Sequence, residues 1–372
     1  MKYWLACLAS IITLNTALSF ETKAPYAILM DYETGSILFD KNANEKIAPS
    51  SMSKLMTIYI VFEKLKKGDL QLSDKFTVSA NAWSKQGSKM FIQVGSQVSV
   101  EDLLKGIIIQ SGNDACIALA ESIAGSEAEF ANLMNIKAKE LGLTNSNFVN
   151  STGWPDEGHL MSMFDLAILS KRLITDFPDY YHYFAEKEFT YNNIKQQNRN
   201  VLLNRNLGVD GLKTGHTETG GYGIAISSQQ KNRRMIAVVN GLNSQTERAD
   251  EVEKLLNYGF INFANLKLYE KNQVVGNVPI WLGNKKEVPV YIRENVWFSV
   301  LKHEIDKVKV LIKHDEKVPS PIAIDQKIAE LHVIFPNGKI EKFDLLSKEE
   351  VKELSWFSRV IHNLKNKLGI ND

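Results

Sequence analysis

The stretch Ala48-Pro49-Ser50-Ser51-Met52-Ser53-Lys54-Leu55-Met56-Thr57 decides how this chain is read. From Ser51 to Leu65 the apolar residues Met52, Leu55, Met56, Tyr59, Phe62 and Leu65 recur at spacings of three and four, which predicts a helix. Pro49 stands just before it, and Gly68 follows as a stop. Ser51 and Lys54 at a helix start share one face, with Cβ atoms roughly 5–6 Å apart. A serine hydroxyl is a weak nucleophile until a base stands beside it. A lysine serves as that base when burial or a second cation keeps it neutral. The unpaired N–H groups of the helix start can stabilise an oxyanion. Alone the motif is a weak signal. Ser299-Val300-Leu301-Lys302 repeats it inside an expected strand, where alternation sends the two side chains to opposite faces.

Working outward, Ser111-Gly112-Asn113 follows the apolar run Ile107–Ile109. By itself it reads as a turn or helix-capping serine, as does Ser79-Ala80-Asn81. Lys213-Thr214-Gly215-His216 follows Val209-Asp210-Gly211-Leu212, and by itself it reads as a β-edge turn with a solvated lysine. Around these motifs, Tyr26–Met30 and Ser36–Phe39 form an expected hairpin turning at Gly35. Helices are expected over 101–124 and 126–141, joined near Gly125, then over 163–175 and from Asp250 to Tyr258. A second hairpin is expected from Tyr222–Ile226 to Met235–Val239. Strands open and close the region and helices fill its middle, so the expected class is α+β on an antiparallel sheet.

Taken together the motifs say more than each alone. Ser-x-x-Lys on a helix, Ser-x-Asn on a loop and Lys-Thr-Gly on a strand, in that order, form the active-site set of the penicillin-recognising serine enzymes. The flanking segments, including Gln110–Cys116, Gln197-Asn198-Arg199-Asn200 and Val209–Thr217, resemble the D-alanyl-D-alanine carboxypeptidases, the low-molecular-mass penicillin-binding proteins. The resemblance covers the first domain and extends more loosely to the C-terminal region. It implies a β-lactamase/transpeptidase-like catalytic domain, with Ser51 as acylated nucleophile, Lys54 as general base and Ser111 as proton relay to the leaving group. It implies that Asn113 holds the substrate backbone and that the N–H groups of Ser51 and His216 form the oxyanion hole. Lys213, Thr214, Gly215 and Arg248 would then meet the substrate's terminal carboxylate and its strand.

The substrate so implied is a peptidoglycan stem peptide ending in D-Ala-D-Ala, and β-lactams would be covalent inhibitors. A D,D-endopeptidase acting on crosslinks is an alternative within the same chemistry. A β-lactamase fits less well, because no Glu-x-x-Leu-Asn setting occurs between residues 113 and 213. A non-catalytic wall-binding protein fits less well too, because Ser51, Lys54 and Lys213 are all present. The seven histidines show no His-Glu-x-x-His and no ligand cluster, so no metal and no cofactor is expected.

The ends complete the division. Residues 1–19 carry Lys2, an apolar stretch and Ala17-Leu18-Ser19, the pattern of a cleaved export signal. The catalytic domain is expected over 20–264. From Asn265 short alternating runs dominate, with Asn337-Gly338 as a hairpin turn, so 265–346 reads as a small all-β sandwich-like domain. Within 347–372, Trp356, Phe357, Val360, Ile361, Leu364 and Leu368 make one helical stripe beside Arg359, Lys365 and Lys367. That segment, residues 354–370, reads as an amphipathic anchor at a membrane surface. Together the two ends place the protein on the periplasmic face of the cytoplasmic membrane. Across all 372 residues, 44 Lys and Arg stand against 43 Asp and Glu, so no concentrated basic face points to nucleic acid.

Overall fold

Alternation along the first hairpin sets the layers of the catalytic domain. In strand β1 (Tyr26–Asp31), Ile28 and Met30 face one core while Ala27 and Leu29 face another. The computed structural model describes residues 20–316, 318–358 and 360. The expected export signal lies outside them, as does the tail stripe beyond Val360.

Strand β2 (Ile37–Lys41) pairs with β1 as expected, through a turn in which Gly35 has φ +71°. Helix α1 (Lys54–Lys67) ends at Gly68, whose φ of +78° is the left-handed cap that glycine favours. Helices α2 (Asn113–Ala124), α3 (Glu127–Glu140) and α4 (Met163–Asp176) follow. Then come strands β3 (Val209–Thr217), β4 (Gly221–Gln230) and β5 (Arg233–Leu242), and helix α5 (Gln245–Asn262). The five strands form one antiparallel sheet in the order β2-β1-β5-β4-β3. Met52, Leu55, Met56 and Phe62 and the helical middle of the chain bury one face of it. Val252, Leu255 and Leu256 of α5 bury the other. The expected α+β class is what the chain adopts.

The segment expected as one helix over 101–124 is broken. Helix Val100–Lys105 widens into a π-helical turn at Gly106–Gln110, stops at Ser111, and restarts as α2. Ser111 has φ +66° and its successor is Gly112, so the Ser-Gly pair ends the run despite the apolar periodicity on both sides. The break matters for the site, because it delivers Ser111 and Asn113 from two different pieces of backbone.

Helix α5 leads into strand Phe263–Tyr269, which pairs with Val296–Leu301. Beside that ribbon lies a six-stranded sheet ordered Lys309–Lys313, Lys327–Ile334, Ile340–Ser347, Glu287–Ile292, Val274–Trp281 and Val318–Pro319. All its pairings are antiparallel except the last. Val278, Val288, Val290, Leu331, Val333 and Leu345 form its core, and Phe298 of the ribbon packs against it. The two domains meet through polar contacts. Asn265 donates to Asp31 at 3.2 Å, and the Ser299 N–H donates to Ser36 Oγ at 3.1 Å. No helix among the described residues is long and apolar enough to cross a membrane.

Candidate active site

Ser51 sits in a single 3₁₀ turn, Ser50–Ser53, that leads directly into α1. The turn is held from two sides by glycines. Gly153 (φ +74°) lies so close that a Cβ there would stand 2.1 Å from the Ser50 carbonyl oxygen. Gly215 in β3 approaches from the sheet, where a Cβ would stand 3.0 Å from the Pro49 carbonyl oxygen and 3.1 Å from Ser50 Cβ. No larger residue lets strand, loop and turn converge at that spacing.

Lys54, the first residue of α1, is fully buried. Its Nζ lies 2.9 Å from Ser51 Oγ and 2.7 Å from Asn113 Oδ1, and it also contacts the Thr152 carbonyl oxygen. An ammonium has three donors and meets three acceptors here. A neutral amine has two, which the Asn113 and Thr152 carbonyls take, and its lone pair is left facing the Ser51 hydroxyl. Burial brings the Lys54 amine down to about 8, with the nearby Arg199 guanidinium acting in the same direction. The sequence offered a neighbouring lysine as the reason for a neutral Lys54. In the structure that coupling weighs on Lys213. Burial comes first, then Lys54, Arg199 and Arg248, and together they hold Lys213 well below its ordinary value.

The carbonyl of Thr152 is placed by a tight polar turn. Asn150 Oδ1 accepts from the N–H groups of Thr152, Gly153 and Trp154 at 3.1, 2.8 and 3.1 Å. Thr57 Oγ1 donates to the Ser151 carbonyl at 2.7 Å and ties this turn to α1. On the opposite wall the buried carboxylate of Asp114 accepts from the N–H groups of Met90 and Phe91, each at 3.0 Å. That fixes the segment ending at Ile92 against α2. Asn113 Nδ2 donates to the Gln86 carbonyl at 2.9 Å, so its amide is oriented by two partners.

These elements enclose a cleft of about 360 Å³ lined by Ser51, Ser88, Ser111, Arg199, Thr214, Gly215, His216, Tyr222, Gln245 and Arg248. Ser111 Oγ is buried in it with no hydrogen-bond partner among the described residues. Arg248, on α5, is buried; its Nη1 reaches the Gly223 carbonyl at 3.3 Å and its guanidinium lies over the Tyr222 ring. Burial lowers it to about 10, so it stays a cation at neutral pH. His216 is exposed at the strand's end, with its ring 4.0 Å from that of Tyr222. Of the residues expected at the site, Ser51, Ser111, Thr214, Gly215, His216 and Arg248 line the cleft, Lys54 and Asn113 join it through the contacts to Ser51 Oγ and to each other, and Lys213 lies buried beneath it, electrostatically coupled to Lys54. The two decoys go elsewhere. Ser79 caps helix Ala80–Ser84, while Ser299 bonds to Asn265 and Lys302 to the Ile261 carbonyl near the end of α5.

A family model of D-alanyl-D-alanine carboxypeptidases matches residues 13–245. The chain belongs to the D-alanyl-D-alanine carboxypeptidase family. A model of the C-terminal domain of penicillin-binding protein 5 matches residues 263–353. Within the family, the D-alanyl-D-alanine carboxypeptidase DacD of Escherichia coli is 36% identical over 380 residues, covering 97% of this chain and 98% of the relative. The crystal structure of penicillin-binding protein 5 from Haemophilus influenzae superposes with a TM-score of 0.83 at 35% identity, over 90% of this chain and 98% of that one. The ampicillin-bound penicillin-binding protein D2 of Listeria monocytogenes superposes with a TM-score of 0.59 at 29% identity, over 64% of this chain and 98% of that one.

Five contributions to this carboxypeptidase-family cleft escaped sequence reasoning. Arg199 stood only in a segment flanking the motifs, Tyr222 only at the start of a hairpin strand, and Gln245 only beside Arg248. Ser88 follows no motif at all. The Thr152 carbonyl is main chain, which residue type does not encode.

Proposed function

We propose that this protein is a serine-type D-Ala-D-Ala carboxypeptidase that removes the terminal D-alanine from peptidoglycan stem pentapeptides. The observation that carries the reading is the Lys54 environment. Two fixed carbonyls occupy the N–H groups of the neutral amine and aim its lone pair at Ser51 Oγ, 2.9 Å away. Ser51 then attacks the carbonyl carbon between the last two alanines as its proton passes to Lys54. The N–H groups of Ser51 and His216 receive the oxyanion. Collapse expels D-alanine, whose amine takes a proton relayed through Ser111, the buried hydroxyl that has no hydrogen-bond partner among the described residues. Water then hydrolyses the Ser51 ester. Arg248, Thr214 and Lys213 hold the terminal carboxylate.

β-Lactams carry an equivalent carboxylate and a reactive carbonyl, so they acylate Ser51 and stay. The ampicillin complex of the Listeria relative supports this. Incubation with a pentapeptide releases free D-alanine in this reading; release only from crosslinked dimers contradicts it and favours an endopeptidase.

Residues 1–19 export the chain, 20–264 form the catalytic domain, 265–346 the β domain, and 354–370 rest on the periplasmic membrane surface. Three exposed residues at the start of that tail, Trp356, Phe357 and Val360, support the last assignment. Truncation after Leu354 releases the protein to the soluble fraction with peptide hydrolysis intact; a truncated protein that still pellets with membranes contradicts it.

A further inference from the structure

Tyr222, near the start of strand β4, is half-buried and lines the cleft with His216 and Arg248. It shares the α5 side of the sheet with Ile224 and Ile226 and packs on the same core. Across the β3–β4 pair it stands opposite His216, and the two ring centroids are 4.0 Å apart. From the helix side, the guanidinium carbon of Arg248 lies 5.7 Å from the centre of the same ring. One phenol ring thus bridges the end of β3 and the first turn of α5. The sheet is irregular at this point. Between the pairs Tyr222–Leu242 and Ile224–Val239, strand β5 carries one residue more than β4, and Gly241 in it has φ +85°. A bulge of this kind re-aims the side chains beside it and is common next to active sites.

Arg248 is otherwise thinly held. Its Nη1 reaches the carbonyls of Gly223 at 3.3 Å and Gly215 at 3.5 Å, both long for a hydrogen bond. Among the described residues no carboxylate pairs with it, and its Nε and Nη2 groups have no hydrogen-bond partner. Those N–H groups are left for a ligand in the cleft that Arg248 lines.

We propose that Tyr222 is a positioning residue for Arg248: its ring fixes the guanidinium so that the free N–H groups meet the incoming carboxylate, and it thereby sets the preference for a free chain terminus over a blocked one. This rests on the reading of Arg248 as the group that binds the substrate's terminal carboxylate. A ring face attracts the cation without taking any of its donors, so the planar fork stays available. A carboxylate or an amide in the same place would occupy those N–H groups. Holding the fork before the substrate arrives removes the cost of ordering it on binding.

The test compares kcat/KM for N-acyl-D-Ala-D-Ala and for the same peptide with an amidated C-terminus. The proteins are wild type, Tyr222→Ala, Tyr222→Phe, Arg248→Ala and the Tyr222→Ala/Arg248→Ala double variant. In Tyr222→Ala the carboxylate-over-amide ratio falls about tenfold, the range of a desolvated cation–aromatic contact, and the loss on the carboxylate peptide lies in KM. Tyr222→Phe keeps most of the wild-type ratio, because the ring and not the hydroxyl makes the contact. The double variant has the ratio of Arg248→Ala alone. Parallel losses on both peptides in Tyr222→Ala mean that the ring only supports the fold, and overturn the proposal. A ratio in Tyr222→Phe as low as in Tyr222→Ala overturns it too, as do additive losses in the double variant. A lowered ratio in Arg248→Ala beside a wild-type ratio in Tyr222→Ala overturns the proposal alone. A wild-type ratio in Arg248→Ala overturns the reading of Arg248 and the proposal with it.

Discussion

Gly215 in the edge strand β3 and Pro49 ahead of the Ser51 turn approach so closely that a Cβ on Gly215 would lie 3.0 Å from the Pro49 carbonyl oxygen. The sheet and the nucleophile turn are thereby set at a fixed separation, and the cleft's width follows from it. Gly215→Val forces the strand and turn apart. Displacement of reacting groups by about 1 Å costs about a hundredfold in rate. The expected result is a kcat lowered on that order, with thermal stability reduced by about 1–3 kcal/mol as in other overpacked sites. Steady-state kinetics with thermal unfolding check both.

As the proposed base, Lys54 works only when neutral. Burial lowers it to about 8, so kcat/KM should rise with pH to a plateau with a midpoint near that value. Arg199 contributes to the lowering, and Arg199→Gln should move the midpoint to higher pH. The linked stability has the same sign. Between the folded value and the ordinary 10.5, the unfolded chain binds a proton that the folded chain does not. Stability therefore rises with pH across that window, and the cost of burying the charge is fully present below it. A pH–rate profile of both proteins decides the matter; an unchanged midpoint in Arg199→Gln contradicts the assignment.

Arg248 is expected to act on the substrate's terminal carboxylate alone. Arg248→Ala should lower kcat/KM about 10–100-fold, the equivalent of about 1.5–3 kcal/mol for a hydrogen bond to a charged group. A peptide with an amidated C-terminus should suffer a comparable loss with wild type and little more with the variant. Independent, additive losses in that cycle place the carboxylate elsewhere.

What the sequence revealed and what it hid divide along a physical line. Ser51 and Lys54 are legible because three residues of helix fix their geometry locally. The Lys-Thr-Gly strand and the two hairpins are legible because alternation and turn residues are local as well. The interruption at Ser111 was hidden because Ile107–Ile109 and Ala115–Leu119 both continue a helical pattern, while the left-handed backbone of Ser111 (φ +66°) ahead of Gly112 is a local conformation that apolar periodicity does not report. Arg199, the Thr152 carbonyl and the dominance of burial over Lys213 in lowering Lys54 are long-range facts. They follow from which loops close over α1, and no spacing along the chain reports them. The β domain's alternating strands were legible, while the parallel pairing of Val274–Trp281 with the two residues Val318–Pro319 was too short to leave a pattern.

Ser51 is expected to carry the acyl group. Intact-mass and peptide-mapping spectrometry after brief exposure to a β-lactam measures this directly. The expected result is one adduct per chain, on the peptide containing Ser51, absent from Ser51→Ala and formed far more slowly in Lys54→Ala. An adduct mapped to another residue, or full labelling of Ser51→Ala, contradicts the account.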